Sequence, residues 1–151
     1  RQGAFAALVG LTLAEDGRWA ALAVGDCCLF QVRGDQLLAA FPLTCAAAFG
    51  MRPLLLSSEP ARNARLRAAG AIAATDGTWQ PEDTFLLMSD ALAAHFLGQT
   101  VEEGCPPLAA LAFERTRAGF KAWVRALREQ RRLRNDDVSL LWFEASRGAT
   151  A

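Results

Sequence analysis

Four apolar runs are packed into residues 5–41, and no two neighbours are separated by more than four residues. Phe5–Leu13 ends at Glu15-Asp16-Gly17, where Asp-Gly is a strong hairpin signal. Arg18–Val24 ends at Gly25-Asp26, Cys28–Val32 ends at Arg33-Gly34-Asp35, and Gln36–Phe41 follows. Parallel neighbours need a crossover of roughly a dozen residues or more. Connections this short therefore dictate an antiparallel meander.

The pattern then changes. Pro42, Pro53 and Pro60 break the next segment into loops, with Ala61–Ala69 reading either as a helical turn or as a basic loop. Ala71–Ala74 reads as a further strand before a turn at Asp76-Gly77, and Pro81-Glu82-Asp83 turns into the apolar strand Thr84–Met88. A helix is expected over Asp90–Leu97, and Pro106-Pro107 open another helical stretch. Phe120, Trp123, Val124 and Leu127 recur at i, i+3, i+4 and i+7, the apolar stripe of an amphipathic helix that should end near Leu133. Val138–Phe143 reads as a last buried strand, pairing non-locally with the meander. Strands first and helices later argue for an α+β fold with antiparallel sheets. No Rossmann or phosphate-loop glycine pattern follows any strand.

Composition narrows the class. A chain of 151 residues, 52% hydrophobic and 21% charged, can bury one ordinary core and is not a disordered segment. Its apolar stretches fall short of the roughly 20 residues that span a bilayer, and residues 1–20 lack the order of a signal peptide. The expectation is a soluble, cytoplasmic protein of unassigned oligomeric state. Cys27, Cys28, Cys45 and Cys105 form no C-x-x-C pair and have one histidine, His95, to join them, so a zinc site is not expected. Free thiols are expected instead, with Cys27 and Cys28 on opposite faces of a strand, and His95 is read as structural. Net charge is zero, but half of the 16 basic residues lie between Arg115 and Arg134. That run is read as a solvated helix face in preference to a nucleic-acid or acidic-partner surface, because the apolar stripe already accounts for the helix. Arg62, Arg65 and Arg67 form a smaller basic cluster to which no site is assigned.

Acidic residues recur at strand ends. Asp26 follows "WAALAVG", Asp90 follows "TFLLMS", and Asp136 and Asp137 precede "VSLLWF". Each has an ordinary reading: a turn for Asp26, a helix N-cap for Asp90, a helix-to-strand loop for Asp136-Asp137. Taken together they allow another. Carboxylates converging from neighbouring strands of one sheet repel one another unless a cation sits among them, and oxygen-only ligands favour magnesium or manganese.

These same stretches resemble the metal-dependent protein phosphatases of the protein phosphatase 2C type, bacterial members in particular. "LAVGDCCLFQVRGDQLLAAFPLT" is similar to the family's valine-glycine-aspartate segment and hairpin, "DTFLLMSDALAAHFL" to its apolar strand ending in serine-aspartate, and "RNDDVSLLWFE" to its closing aspartate-asparagine and strand. The resemblance covers most of Phe5–Glu144. It implies a four-layer α/β/β/α sandwich of two antiparallel sheets flanked by helices. It also implies hydrolysis of phosphoserine and phosphothreonine in a phosphorylated protein by water activated at two Mg2+ or Mn2+ ions. Residue by residue, it makes Asp90 and Asp136 metal ligands and Asp26 and Asp137 further positions that hold a metal or support its ligands, with Asp137 standing where the family often has asparagine. Ala91 stands where glycine is usual and Ala94 where many members carry an aspartate. The family's upstream aspartate-glycine-x-glycine motif and phosphate-binding arginine have no match here. The expectation is therefore residues 1–151 as a single domain, the C-terminal two-thirds of such a phosphatase domain. It would be active, with two ions, only when the N-terminal part is present. The alternative is a catalytically inactive interaction module on the same fold.

Overall fold

The computed structural model describes residues 3–50, 53–64, 66, 70–112 and 116–146. The meander forms as expected: β1 (Phe5–Ala6), β2 (Leu8–Leu13), β3 (Arg18–Val24), β4 (Cys28–Arg33) and β5 (Gln36–Phe41). It does not stay in one sheet. β2 and β3 pair with β7 (Ile72–Thr78) in the order β2-β3-β7, whereas β4 and β5 join β8 (Thr84–Met88) and β9 (Leu140–Glu144) in the order β5-β4-β8-β9. The chain changes sheets at Gly25-Asp26-Cys27. β1 pairs separately with β6 (Leu56–Ser57). All these pairings are antiparallel.

Period-two alternation decides what each strand touches. Leu29 of β4 and Phe85 and Leu87 of β8 face the other sheet, where they meet Trp19 and Ala21 of β3 together with Trp79. The Phe85 ring stacks on Phe143 at 5.6 Å and takes Trp19 edge-on at 6.1 Å. Cys28, Phe30 and Val32 of β4 and Leu86 and Met88 of β8 point the opposite way, into a core shared with α1 (Asp90–Glu103). Leu92 and Phe96 of α1 are buried there, and the Phe96 ring lies 4.6 Å from that of Phe30. α2 (Leu108–Ala112) adds Leu111 to the same core. Val124 and Leu127, the inner residues of the predicted stripe, anchor α3 (Arg117–Glu129) beside Ala91 and Leu133.

The result is an α+β sandwich with helices on the outer side of the four-stranded sheet. On the outer face of the β2-β3-β7 sheet, Leu8, Leu22 and Ile72 remain 43%, 45% and 52% exposed. A second helical layer is not among the described residues.

Several boundaries differ from expectation for identifiable reasons. Asp76-Gly77 is not a turn but lies inside β7, paired with Ala20 and Trp19. Gly77 serves close approach there: a Cβ would sit 2.7 Å from Cε2 of the Trp19 indole. α1 runs past Leu97 to Glu103 and stops at Gly104, whose φ of 73° closes the helix. α3 ends at Glu129, short of Leu133, because Arg131 takes a left-handed φ of 58°. β9 is an edge strand with Leu141 57% exposed, and it pairs with β8 rather than directly with the meander. Pro60–Asn63 form a 3-10 turn, while Arg65 and Arg67 lie outside the described residues.

One polar cluster is built into the sandwich. Asp83, fully buried just before β8, accepts from Arg33 Nε at 2.6 Å, Gln31 Nε2 at 2.8 Å and the Gln80 backbone N–H at 2.9 Å. Gln31 Oε1 in turn accepts from Trp19 Nε1 at 3.0 Å, so the network ties both sheets together. Burial pushes the Asp83 carboxyl up, but the bonds from Arg33, Gln80 and Gln31 outweigh it and hold its pKa below the ordinary value. A depressed folded-state pKa contributes stability that is complete above the unfolded carboxylate pKa and is lost as pH falls through the folded value. Asp83→Ala leaves Gln31 and Arg33 without their shared acceptor. We expect it to cost roughly 3 kcal/mol in urea unfolding at neutral pH. The gap from wild type should shrink in acid below the ordinary carboxylate range.

Candidate metal centre

β8 carries polar ends: the Asp83 network before its first residue and Ser89-Asp90 after its last. Ser89, not Asp90, is the N-cap residue of α1, and Asp90 is the first helical residue. The Ser89 side chain makes no capping bond. Its hydroxyl donates to the Asp137 carbonyl at 3.1 Å and accepts the Ser139 N–H at 3.0 Å, and the Ser89 N–H donates to the Ser139 carbonyl. This staple joins the start of α1 to the lead-in of β9. It brings Asp136 alongside Asp90, although 46 positions separate them in sequence.

Arg134 marks how close they come. Its Nη1 lies 3.6 Å from Asp90 Oδ2 and its Nη2 lies 3.6 Å from Asp136 Oδ2. The side chains are unequally exposed, 19% for Asp90 against 51% for Asp136 and 53% for Arg134. Arg128 donates to the Asp136 carbonyl, and Asp136 Oδ1 accepts the Asp137 N–H at 2.8 Å, which holds the loop in shape.

Asp26 enters from the crossing between sheets. Gly25 makes that crossing with φ of 91°, and a Cβ on it would stand 2.9 Å from the Ala7 Cβ, so glycine is required both by the backbone and by the contact. Partial burial, then the like charge of Asp90, push the Asp26 carboxyl above its ordinary pKa, with Asp136 acting in the same sense and Arg134 against it. Cys27 beside it is raised by burial and by Asp26 and Asp90, and the buried Cys28 thiol is pushed up to about 12, mainly by burial. All four cysteines are free thiols. Neither Cys27 nor Cys28 is thereby an activated nucleophile.

The predicted carboxylates thus divide. Asp90 and Asp136 meet at Arg134, while Asp26, at the crossing between sheets, feels the charge of both without standing in a group of three close enough to hold an ion. Asp137 lines a separate groove of about 510 Å³ with Lys121, Arg125 and Arg128 of α3. His95 is half-buried, its ring 6.1 Å from that of Trp123, and burial followed by the Arg132 charge lowers its pKa. The basic run is partly neutralised within the chain, since Arg125 pairs with Glu129 and Arg134 pairs as described, while Arg132 donates to the neutral Gln99 amide. Two contributors escaped the sequence reading. Arg134 was one cation among many, with its position two residues before Asp136 as the available signal. Ser89 gave no sign that it would staple a loop instead of capping.

The donor chemistry fits a hard divalent cation: oxygen-only, carboxylate, and short of positive charge around Asp26. The number of donors does not complete a shell. Among the described residues no group of three or more histidine, cysteine, aspartate or glutamate side chains stands close enough to hold an ion.

Comparison with known proteins bears on the fold. No protein-family model matches the chain, and no curated protein does. Among solved structures it is similar to the photosystem II phosphatase PBCP, with a TM-score of 0.53 and 17% identity over 84% of this chain and 46% of that one. The chain has a protein phosphatase 2C-like fold. A looser likeness, TM-score 0.39 at 18% identity over 83% of this chain and 51% of the other, is to PppA, a regulatory component of the T6SS in Pseudomonas aeruginosa. The chain spans about half the length of these solved structures. No helix among the described residues is long and apolar enough to cross a membrane.

Ser89→Ala removes both hydroxyl bonds of the staple. The expected cost is about 1–2 kcal/mol of stability, with the largest amide chemical-shift changes at residues 136–139 in nitrogen-proton correlation spectra.

Proposed function

We propose that this chain is the part of a metal-dependent serine/threonine protein phosphatase that supplies Asp90 and Asp136 as ligands for Mg2+ or Mn2+, with Asp26 as a further anionic group nearby. The observation that carries the reading is the meeting of Asp90 and Asp136 around one guanidinium, within a phosphatase-like fold. The remaining ligands come, in this reading, from outside the 151 residues. Bound ions of this kind supply an acidified water for attack on phosphorus and neutralise phosphoryl charge. The residues of this chain have definable tasks. Asp90 is carried by the first turn of α1, and the Ser89 staple and Arg128 hold the backbone of residues 136–139 that carries Asp136. The substrate in this reading is a phosphorylated protein, and the protein is soluble and cytoplasmic.

A second reading, a non-catalytic module on the same fold, is favoured by one observation: Arg134 already compensates the two carboxylates. Phosphate release from a phosphoserine peptide by the complete protein separates the two. Release that depends on added manganese, and falls about a hundredfold or more in the double variant Asp90→Asn, Asp136→Asn, is the expected result, because losing even partners behind metal ligands costs ten- to a hundredfold. Full activity of the double variant eliminates the proposal.

A further inference from the structure

The basic run between Arg115 and Arg134 does not all face open solvent. Lys121, Arg125 and Arg128 recur at i, i+4 and i+7, which places them in one row along α3. That row lines the groove of about 510 Å³ that Asp137 also lines. Phe120 and Val124 form the adjoining row, and Val138 faces the groove from the lead-in to β9. A basic row therefore runs beside an apolar one. Arg125 pairs with Glu129 at 2.9 Å. Lys121 and Arg128 pair with no carboxylate among the described residues. Arg128 donates to the Asp136 backbone carbonyl, which carries no net charge to cancel its own.

We infer that this groove docks a segment of a partner protein in which acidic and apolar side chains alternate. Three cations line it against two carboxylates, Glu129 and Asp137, so the surplus favours an anionic occupant. The two carboxylates also select its class. A nucleic-acid backbone would hold unbroken negative charge against them, whereas a peptide places its carboxylates at intervals. A peptide also has apolar side chains to set against Phe120, Val124 and Val138. The spacing matches. Lys121 and Arg125 are about 6 Å apart along the helix axis, close to the roughly 6.8 Å between alternate side chains of an extended peptide. Alternation sends the acidic side chains to one side of such a peptide and the apolar ones to the other, as a basic and an apolar row require. Docking of this kind needs no metal and does not rest on the phosphatase reading.

The test is fluorescence anisotropy of the complete protein with a short fluorescein-labelled peptide alternating glutamate and leucine, at low salt because exposed charges are screened. Wild type should bind it. Lys121→Gln should weaken binding about threefold, the loss of one exposed ion pair, and the charge reversal Lys121→Glu about tenfold. Arg18→Gln, which removes an exposed cation from β3 of the other sheet, should bind as wild type does. A peptide with serine in place of leucine should bind more weakly than the original. Circular dichroism checks that each variant is folded. No binding by wild type overturns the inference, as does unchanged binding in Lys121→Glu, which would place the peptide elsewhere. Equal weakening in Arg18→Gln overturns it too, since net charge alone would then explain the affinity. Equal binding of the serine peptide removes the apolar row from the interaction and overturns the amphipathic match. Tighter binding of a single-stranded RNA with the same dependence on Lys121 assigns the groove to nucleic acid and overturns the peptide.

Discussion

The burial of β8 on both faces is the constraint on which the rest depends. Phe85 and Leu87 commit one face to the opposing sheet, and Leu86 and Met88 commit the other to α1. A strand buried on both sides must place its polar groups at its ends. That is where Asp83 and Asp90 sit. One end closes the sandwich through Gln31, Arg33 and Trp19, and the other opens towards the carboxylates. Five residues separate these two chemistries, about 17 Å of extended chain. The stabilising network and the candidate centre are therefore spatially distinct, and a defect in one need not reach the other.

The two ends treat buried charge in opposite ways. Asp83 is fully enclosed and fully bonded, and its pKa is held low. Asp26 is partly enclosed, and burial followed by the like charge of Asp90 raises its pKa. The first pattern is that of a structural ion pair. The second is a local excess of negative charge that the chain offsets with one exposed arginine. Incomplete compensation of this kind marks the cluster as the candidate site, where the fully bonded Asp83 network does not qualify.

The path of the chain explains how the site is assembled. The crossing at Gly25-Asp26-Cys27 moves the meander from one sheet to the other and delivers Asp26 to the seam. The staple from Ser89 to residues 137–139 delivers Asp136. Neither device belongs to a regular element, and both act through backbone geometry or a single hydroxyl.

Much was determined by the sequence alone. Short turns compelled antiparallel pairing, the spacing of Phe120, Trp123, Val124 and Leu127 specified an amphipathic helix, and the Asp26, Asp90 and Asp136 segments resembled phosphatase motifs in order. These are local properties, governed by turn length and side-chain period, and they survive without knowledge of the partner. Tertiary structure decided the rest. It split the meander between two sheets, kept Asp76-Gly77 in a strand because the Trp19 ring needed the space, and turned Asp137 towards α3 while Asp136 met Asp90. It also selected Arg134 from eight basic residues in its segment to lie between two carboxylates. Periodicity states which face of an element is apolar, but which element covers that face, and which charges then meet at its rim, depends on contacts between residues far apart in the chain.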